Sequence, residues 1–183
     1  MLDEFLIRHS APTLAGLKTA NLFWYPWEKK EELHSILKKW REILKEKGLE
    51  LTVMKINGKR ALLYLYRKSR LRADLQRPET RKMLAEEGYT YETAREAVEI
   101  LRQRIMQCRV FPHEIGLFLG YPEEDVRGFI ENEGRNCKCC GCWKVYCNEC
   151  DALETFRRFK KCEAVYEKLF LMGRPVRKLI VAA

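Results

Sequence analysis

Two strand-like runs, Leu51 to Ile56 and Lys59 to Tyr66, are joined by Asn57-Gly58, and no other stretch restricts the fold of this chain so tightly. Asn-Gly is the pair best suited to a two-residue type I′ turn, whose backbone twist matches that of the strands it connects. The segment is therefore expected to form an antiparallel hairpin. Within it, the run Ala-Leu-Leu-Tyr-Leu-Tyr over 61–66 is apolar on both faces, which predicts a central strand.

Helical patterns surround this hairpin. Leu33, Ile36, Leu37, Trp40, Ile43 and Leu44 recur at helical spacing before the stop signal Gly48. Pro78 to Glu87 reads as a short helix, and Thr90 can cap a longer one whose inner stripe is Ala94, Val98, Leu101 and Ile105. Phe111 to Glu133 reads as two short helices broken at Gly120-Tyr121-Pro122. Asp151-x-x-Glu154 resembles a capping box ahead of an amphipathic helix through Phe170, and 174–183 reads as a closing turn and strand. The fold class is α+β: one domain over 1–183, with helices around a small, mainly antiparallel sheet and a cysteine-rich loop before the C-terminal helix. A length of 183 residues with 46% apolar and 33% charged composition supports one full core and excludes a disordered chain.

No apolar run approaches the roughly 18–20 residues of a membrane span. Asp3 and Glu4 stand where a secretory signal would be basic, so a cytoplasmic location is expected. There thiols stay reduced, and clustered cysteines bind metal more often than they form disulfides. The net charge of +9 raises the prospect of an anionic partner. It is unevenly spread: Lys59 to Arg72 holds six basic residues and no acid, interleaved with Tyr64 and Tyr66. Such a stretch can bind RNA or a phosphorylated cofactor, but a solvated strand end and turn is the preferred reading. Glu114 to Ile130 has helix-turn-helix spacing, yet its second helix, Glu123 to Arg135, carries five acids against two arginines. Phosphates would repel it, so it reads as a structural helical hairpin.

The chemistry is concentrated in residues 137–150, Cys-Lys-Cys-Cys-Gly-Cys-Trp-Lys-Val-Tyr-Cys-Asn-Glu-Cys. Six of the eight cysteines fall here, and Cys139, Cys142, Cys147 and Cys150 give C-x2-C-x4-C-x2-C. Four thiolates on a short loop suit zinc or an iron–sulfur cluster. Gly141 allows the sharp turn that paired ligands need, and Lys138 and Lys144 offset thiolate charge. Cys137 and Cys140 are further candidate ligands. Cys162 is another, although about 18 Å separates it from Cys150 along a continuous helix and its apolar face favours a core role. Cys108 reads as core. Cys147-Asn-Glu-Cys150 could alternatively cycle as a dithiol, making the chain a thiol oxidoreductase. A nucleic-acid-binding module with a structural zinc is the remaining alternative.

His9 to Lys18 reads as a loop able to hold an anionic group, with His9, Thr13 and Lys18 as candidate binding residues. Ser10 beside His9 lacks the acid partner of a hydrolytic triad. His113 after Pro112 is a helix-start residue and a lesser candidate ligand.

Three segments together, His9 to Phe23, Phe111 to Pro122 and Asn136 to Tyr146, resemble the domain-of-unknown-function family 3793, and the resemblance extends to Lys161-Cys162 and the C-terminal residues. It implies an origin among anaerobic Firmicutes and a possible flavodoxin-like redox partner, in keeping with redox or iron metabolism, but no activity. The family often has Cys where this chain has Ser10, and its pattern does not require Cys147 and Cys150. A family-wide site would instead draw on Cys137, Cys139, Cys140 and Cys162, with His9 or His113 as partners.

Overall fold

A computed structural model of the chain describes residues 2–107 and 111–182, so Cys108 lies outside the described residues. In chain order the elements are α1 (Leu2–Leu14), β1 (Ala20–Pro26), α2 (Lys30–Glu46), β2 (Leu49–Asn57), β3 (Arg60–Arg67), α3 (Lys68–Gln76) and α4 (Pro78–Glu86). They continue with α5 (Ala94–Gln107), α6 (Ile115–Phe118), α7 (Glu123–Glu131), β4 (Cys139–Cys140), β5 (Lys144–Val145), α8 (Glu149–Leu171) and α9 (Val176–Leu179). The fold is α+β with a small antiparallel sheet, as expected. Contacts gather into two compact units, residues 1–71 with 162–183, and residues 72–161.

The first unit holds the three-stranded sheet in the order β1-β3-β2, with both pairings antiparallel. β3 is central, and Ala61 through Arg67 are all buried, as their two-sided apolarity requires. Ala61, Leu63 and Leu65 share a core with Leu6 and Leu14 of α1 and with Leu37 and Trp40 of α2. The turn differs from the expected type I′. Asn57 pairs with Arg60, so Gly58-Lys59 is the two-residue loop. Gly58 has φ +54°, and neither Asn57 nor Lys59 is left-handed. Positive φ at the first centre alone is the type II′ pattern. A bulge between Val53 and Lys55 absorbs the shift in register and sends Met54 into full burial.

Four further points differ from the sequence reading. β1 was not anticipated, because Ala-Asn-Leu-Phe-Trp-Tyr-Pro shows no alternation; its pairing with β3 is what forms it. His9 to Thr13 is not loop but the end of α1, which forms because Leu2, Leu6, Ile7, Ala11 and Leu14 bury one helical face. Pro12 lies inside this helix and has no amide to donate to the Arg8 carbonyl four residues back, and the chain turns at Gly16 with φ +79°. Lys68 to Arg72 continues from β3 into α3 rather than a solvated turn. At the C-terminus, Val176–Leu179 is a short helix rather than a strand, and the Val181 amide then donates to the Leu14 carbonyl (3.0 Å).

Cys162 lies in this first core, as the sequence anticipated, beside Tyr166, whose hydroxyl donates to the Leu179 carbonyl (2.8 Å). Burial pushes the Cys162 thiol up to about 11 and, together with the nearby thiol, the Tyr166 phenol up to about 12. An unfolded chain releases both protons at lower pH than the folded one. Stability is therefore expected to be intact below about pH 9 and to fall as pH rises toward 11–12. Denaturation midpoints across this window test it. At pH 8, Cys162 should be the last described thiol alkylated by iodoacetamide; labelling as fast as the exposed Cys147 would contradict the burial.

The second unit is mostly helical. Helix α5 is capped by Thr93 and Glu96 rather than Thr90: the Glu96 carboxylate accepts from the amides of Glu92 (2.8 Å) and Thr93 (3.2 Å), and Thr93 Oγ1 accepts from the Glu96 amide (3.2 Å). Glu114, buried ahead of α6, accepts from the Tyr89 hydroxyl (2.9 Å) and pairs with Arg104 of α5 (2.7 Å). This network fixes the start of the α6–α7 helical pair. Gly116 in α6 faces Val126 of α7 too closely to admit a Cβ. Helix α8 starts at Asn148-Glu149, slightly ahead of the anticipated Asp151 box. Asn148 Oδ1 accepts from the Asp151 amide (3.4 Å) and its amide group donates to the Asp151 carboxylate (2.5 Å).

Candidate functional site

Cysteines 139–142 occupy a minimal hairpin. Cys139 pairs with Val145 and Cys140 with Lys144, leaving Gly141, Cys142 and Trp143 to turn the chain. The Gly141 amide donates to the Trp143 carbonyl (3.0 Å), and a Cβ on Gly141 would strike the Phe156 ring. Only glycine lets the turn lie this close to α8.

Neighbouring residues in a strand face opposite ways, and here this sorts the thiols. Cys139 and Val145 face α8, where Val145, Ala152 and Phe156 form a small core with Cys139 and Trp143 packed on it. The Glu149 carboxylate at the first turn of α8 is near enough to act on the Cys139 thiol electrostatically. Desolvation, followed by the charge of Glu149, raises its pKa. Cys140 and Lys144 face the other way, onto a cavity.

A single buried carboxylate ties the hairpin to the helical pair. Asp125 of α7 is 3% exposed and unpaired with any cation among the described residues. Its Oδ1 accepts from the amides of Tyr146 (2.7 Å) and Cys147 (3.0 Å), and its Oδ2 accepts from the Trp143 indole (2.7 Å). The Trp143 ring stacks on Tyr121 at 5.0 Å and meets Phe156 edge-on at 4.5 Å. The Tyr121 hydroxyl donates to the Cys142 carbonyl (3.2 Å), and burial, then the Cys142 thiol, pushes its pKa up to about 12. Lys138 donates to the Cys147 carbonyl (2.8 Å), which draws the end of the loop back to its beginning.

The cavity behind the hairpin measures about 440 Å³. Phe111, Pro112, His113, Ile115 and Gly116 form one wall, and Val126 and Phe129 of α7 form another. Tyr121, Trp143, Cys140 and Lys144 complete it. Two of the three sequence segments that carry the family resemblance, Phe111 to Pro122 and Asn136 to Tyr146, thus enclose one space.

The other sequence candidates lie apart or serve the fold. His9 is stacked between aromatic side chains, 5.6 Å from Phe23 and 5.7 Å from Phe5, and burial followed by Arg8 lowers its pKa. Thr13 donates its hydroxyl to Asn21 (2.6 Å), and its carbonyl accepts from Arg67 (2.7 Å). Lys18 is 9% exposed. Ser10 is fully buried, with no hydrogen-bond partner for its hydroxyl among the described residues. Tyr64 and Tyr66 stack on each other (4.9 Å) inside the sheet unit and are at most 3% exposed, so they offer no face to a nucleic-acid base. Cys142, Cys147 and Cys150 are exposed, Cys137 is half-buried, and none of the seven described cysteines is in a disulfide. Among the described residues, no three His, Cys, Asp or Glu side chains converge on a point that could hold a metal ion. No helix among the described residues is long and apolar enough to cross a membrane.

Asp125, Tyr121 and Glu114 were not singled out from the sequence. Asp125 is the third acid of Glu-Glu-Asp at the start of α7, and nothing in that run distinguishes the one that turns inward. No curated protein and no solved structure matches the chain. One family does: the description "Protein of unknown function (DUF3793)" covers residues 6–180, nearly the whole length, and the chain belongs to that family.

Proposed function

We propose that residues 137–150 form a thiolate site for a soft metal centre, zinc or an iron–sulfur cluster, in a protein of redox or iron-related metabolism. Cys139 and Cys142 are one ligand pair, and Cys147 and Cys150 the other. One observation carries the reading: the first pair spans the hairpin turn, the second opens α8, and Cys139 packs on the small core that Val145 forms with Ala152 and Phe156 of that helix. Cys140 is left out because it faces the cavity. The donor chemistry fits a soft ion, and the positive end of α8 with Lys138 favours thiolates. The side chains stand apart as they are. Cys142, Cys147 and Cys150 are exposed, however, and can move between staggered rotamers at low cost, while Cys139 would have to turn away from the core of Val145, Ala152 and Phe156. A reducing cytoplasm would keep such ligands available. The iron–sulfur form would suit exchange of electrons with a flavodoxin-like partner, and the zinc form would be structural.

Anaerobic purification followed by metal analysis and a visible spectrum tests this. Iron with visible absorbance identifies a cluster, and colourless protein with zinc identifies a structural site. Serine at Cys139, Cys142, Cys147 or Cys150 is expected to release most of the metal, whereas Cys140→Ser retains it. Folded protein without metal would overturn the reading. Full retention in all four variants would overturn the ligand set.

A further inference from the structure

We infer that the cavity between the start of α6, α7 and the β4–β5 hairpin is a binding site for a small planar aromatic acid. This inference does not rest on metal binding, since it uses the hairpin face opposite Cys139. The volume of about 440 Å³ falls within the roughly 300–1,000 Å³ of small-molecule pockets. Its walls are chiefly ring faces and edges: Trp143 stacked on Tyr121, and Phe129 tilted against His113 at 5.0 Å. Aromatic walls of this kind favour a flat ring by offset stacking and edge-to-face contact.

Charge decides the rest of the ligand. Asp125, the cavity's one carboxylate, has its charge stabilised by three donors, Trp143, Tyr146 and Cys147, shared over both oxygens. Lys144 donates to the Gly134 carbonyl (2.6 Å) and lies 5.8 Å over the Phe129 ring. It has no carboxylate partner among the described residues, and an ammonium has three hydrogens to donate. His113 is an exposed second donor at the rim. An apolar, ring-lined space whose ammonium still has hydrogens to donate, and whose carboxylate already accepts bonds at both oxygens, matches an aromatic carboxylate better than a neutral ring or an amine.

The test uses the full chain with 2-naphthoate and its neutral isostere 2-naphthamide, titrated by calorimetry. Naphthoate is expected to bind at one site and to slow alkylation of Cys140 while leaving Cys147 unchanged. Lys144→Met should weaken naphthoate about tenfold, the loss of one charged hydrogen bond, and leave naphthamide unaffected. Unchanged naphthamide binding also shows that the variant cavity is intact. Cys140→Trp, at an exposed position, should block both ligands while the far-ultraviolet spectrum stays native. The inference fails if naphthoate does not bind, if it binds Cys140→Trp as well as the parent, or if Lys144→Met leaves the preference for the acid unchanged.

Discussion

Asp125→Ala is expected to destabilise the second unit by about 3 kcal/mol or more, because each buried donor left without an acceptor costs roughly 1–3 kcal/mol. Three donors depend on this one side chain: the amides of Tyr146 and Cys147 and the Trp143 indole. The amides belong to the backbone and cannot turn elsewhere. Asp125→Asn separates the contributions. Its carbonyl oxygen can still serve the two amides, but its NH2 group would then face the Trp143 indole, donor against donor. Urea denaturation should rank parent, Asn and Ala in falling order. Amide hydrogen exchange should accelerate at Tyr146 and Cys147 in the Ala variant before it does elsewhere. Unchanged exchange at those two amides would show that Asp125 does not hold the loop.

Arg67→Met is expected to cost about 2–4 kcal/mol, the scale of breaking buried charged hydrogen bonds. Arg67 is 2% exposed and donates to the carbonyls of Thr13 (2.7 Å), Leu14 (2.7 Å) and Val181 (2.8 Å). No carboxylate is paired with it among the described residues. Burial and the Arg70 charge lower its pKa, but the C-terminal carbonyls of α1 supply negative potential where an acid would otherwise stand. Lysine is not an adequate substitute, since one ammonium cannot reproduce a planar fork that reaches both α1 and the tail. Arg67→Lys should therefore recover little of the loss. Exchange at the Val181 amide, bonded to Leu14, reports detachment of the tail. A Lys variant as stable as the parent would refute the role of the fork.

Local signals in the sequence are legible where burial is repetitive. β3 announced itself because both faces are apolar, and α2 because its stripe is regular. β1 was illegible because its strand character comes from pairing with β3 rather than from its own pattern. Asn57-Gly58 marks the hairpin, but the register depends on a bulge between Val53 and Lys55, in the middle of β2, that no turn residue encodes. At the candidate site, cysteine spacing marked the loop. The division of the thiols between two faces required the register of a two-residue strand, and Asp125 required knowing which way one turn of α7 looks. Arg67 lay in a basic stretch that reads as solvated, and its burial follows from the helix end and tail that converge on it.

The first unit is assembled from two stretches of chain, while the second is one unbroken stretch between them. During synthesis, all of residues 72–161 leave the ribosome before Cys162, Tyr166 and Val181 exist. The hairpin, its cavity and the Asp125 tether can therefore form while the sheet still lacks part of its core. Arg67 must wait for a carbonyl 114 residues away. Throughout that interval its guanidinium and the apolar side of β3 are incompletely covered, so the sheet half is the part of the nascent protein most open to misassembly or to a chaperone.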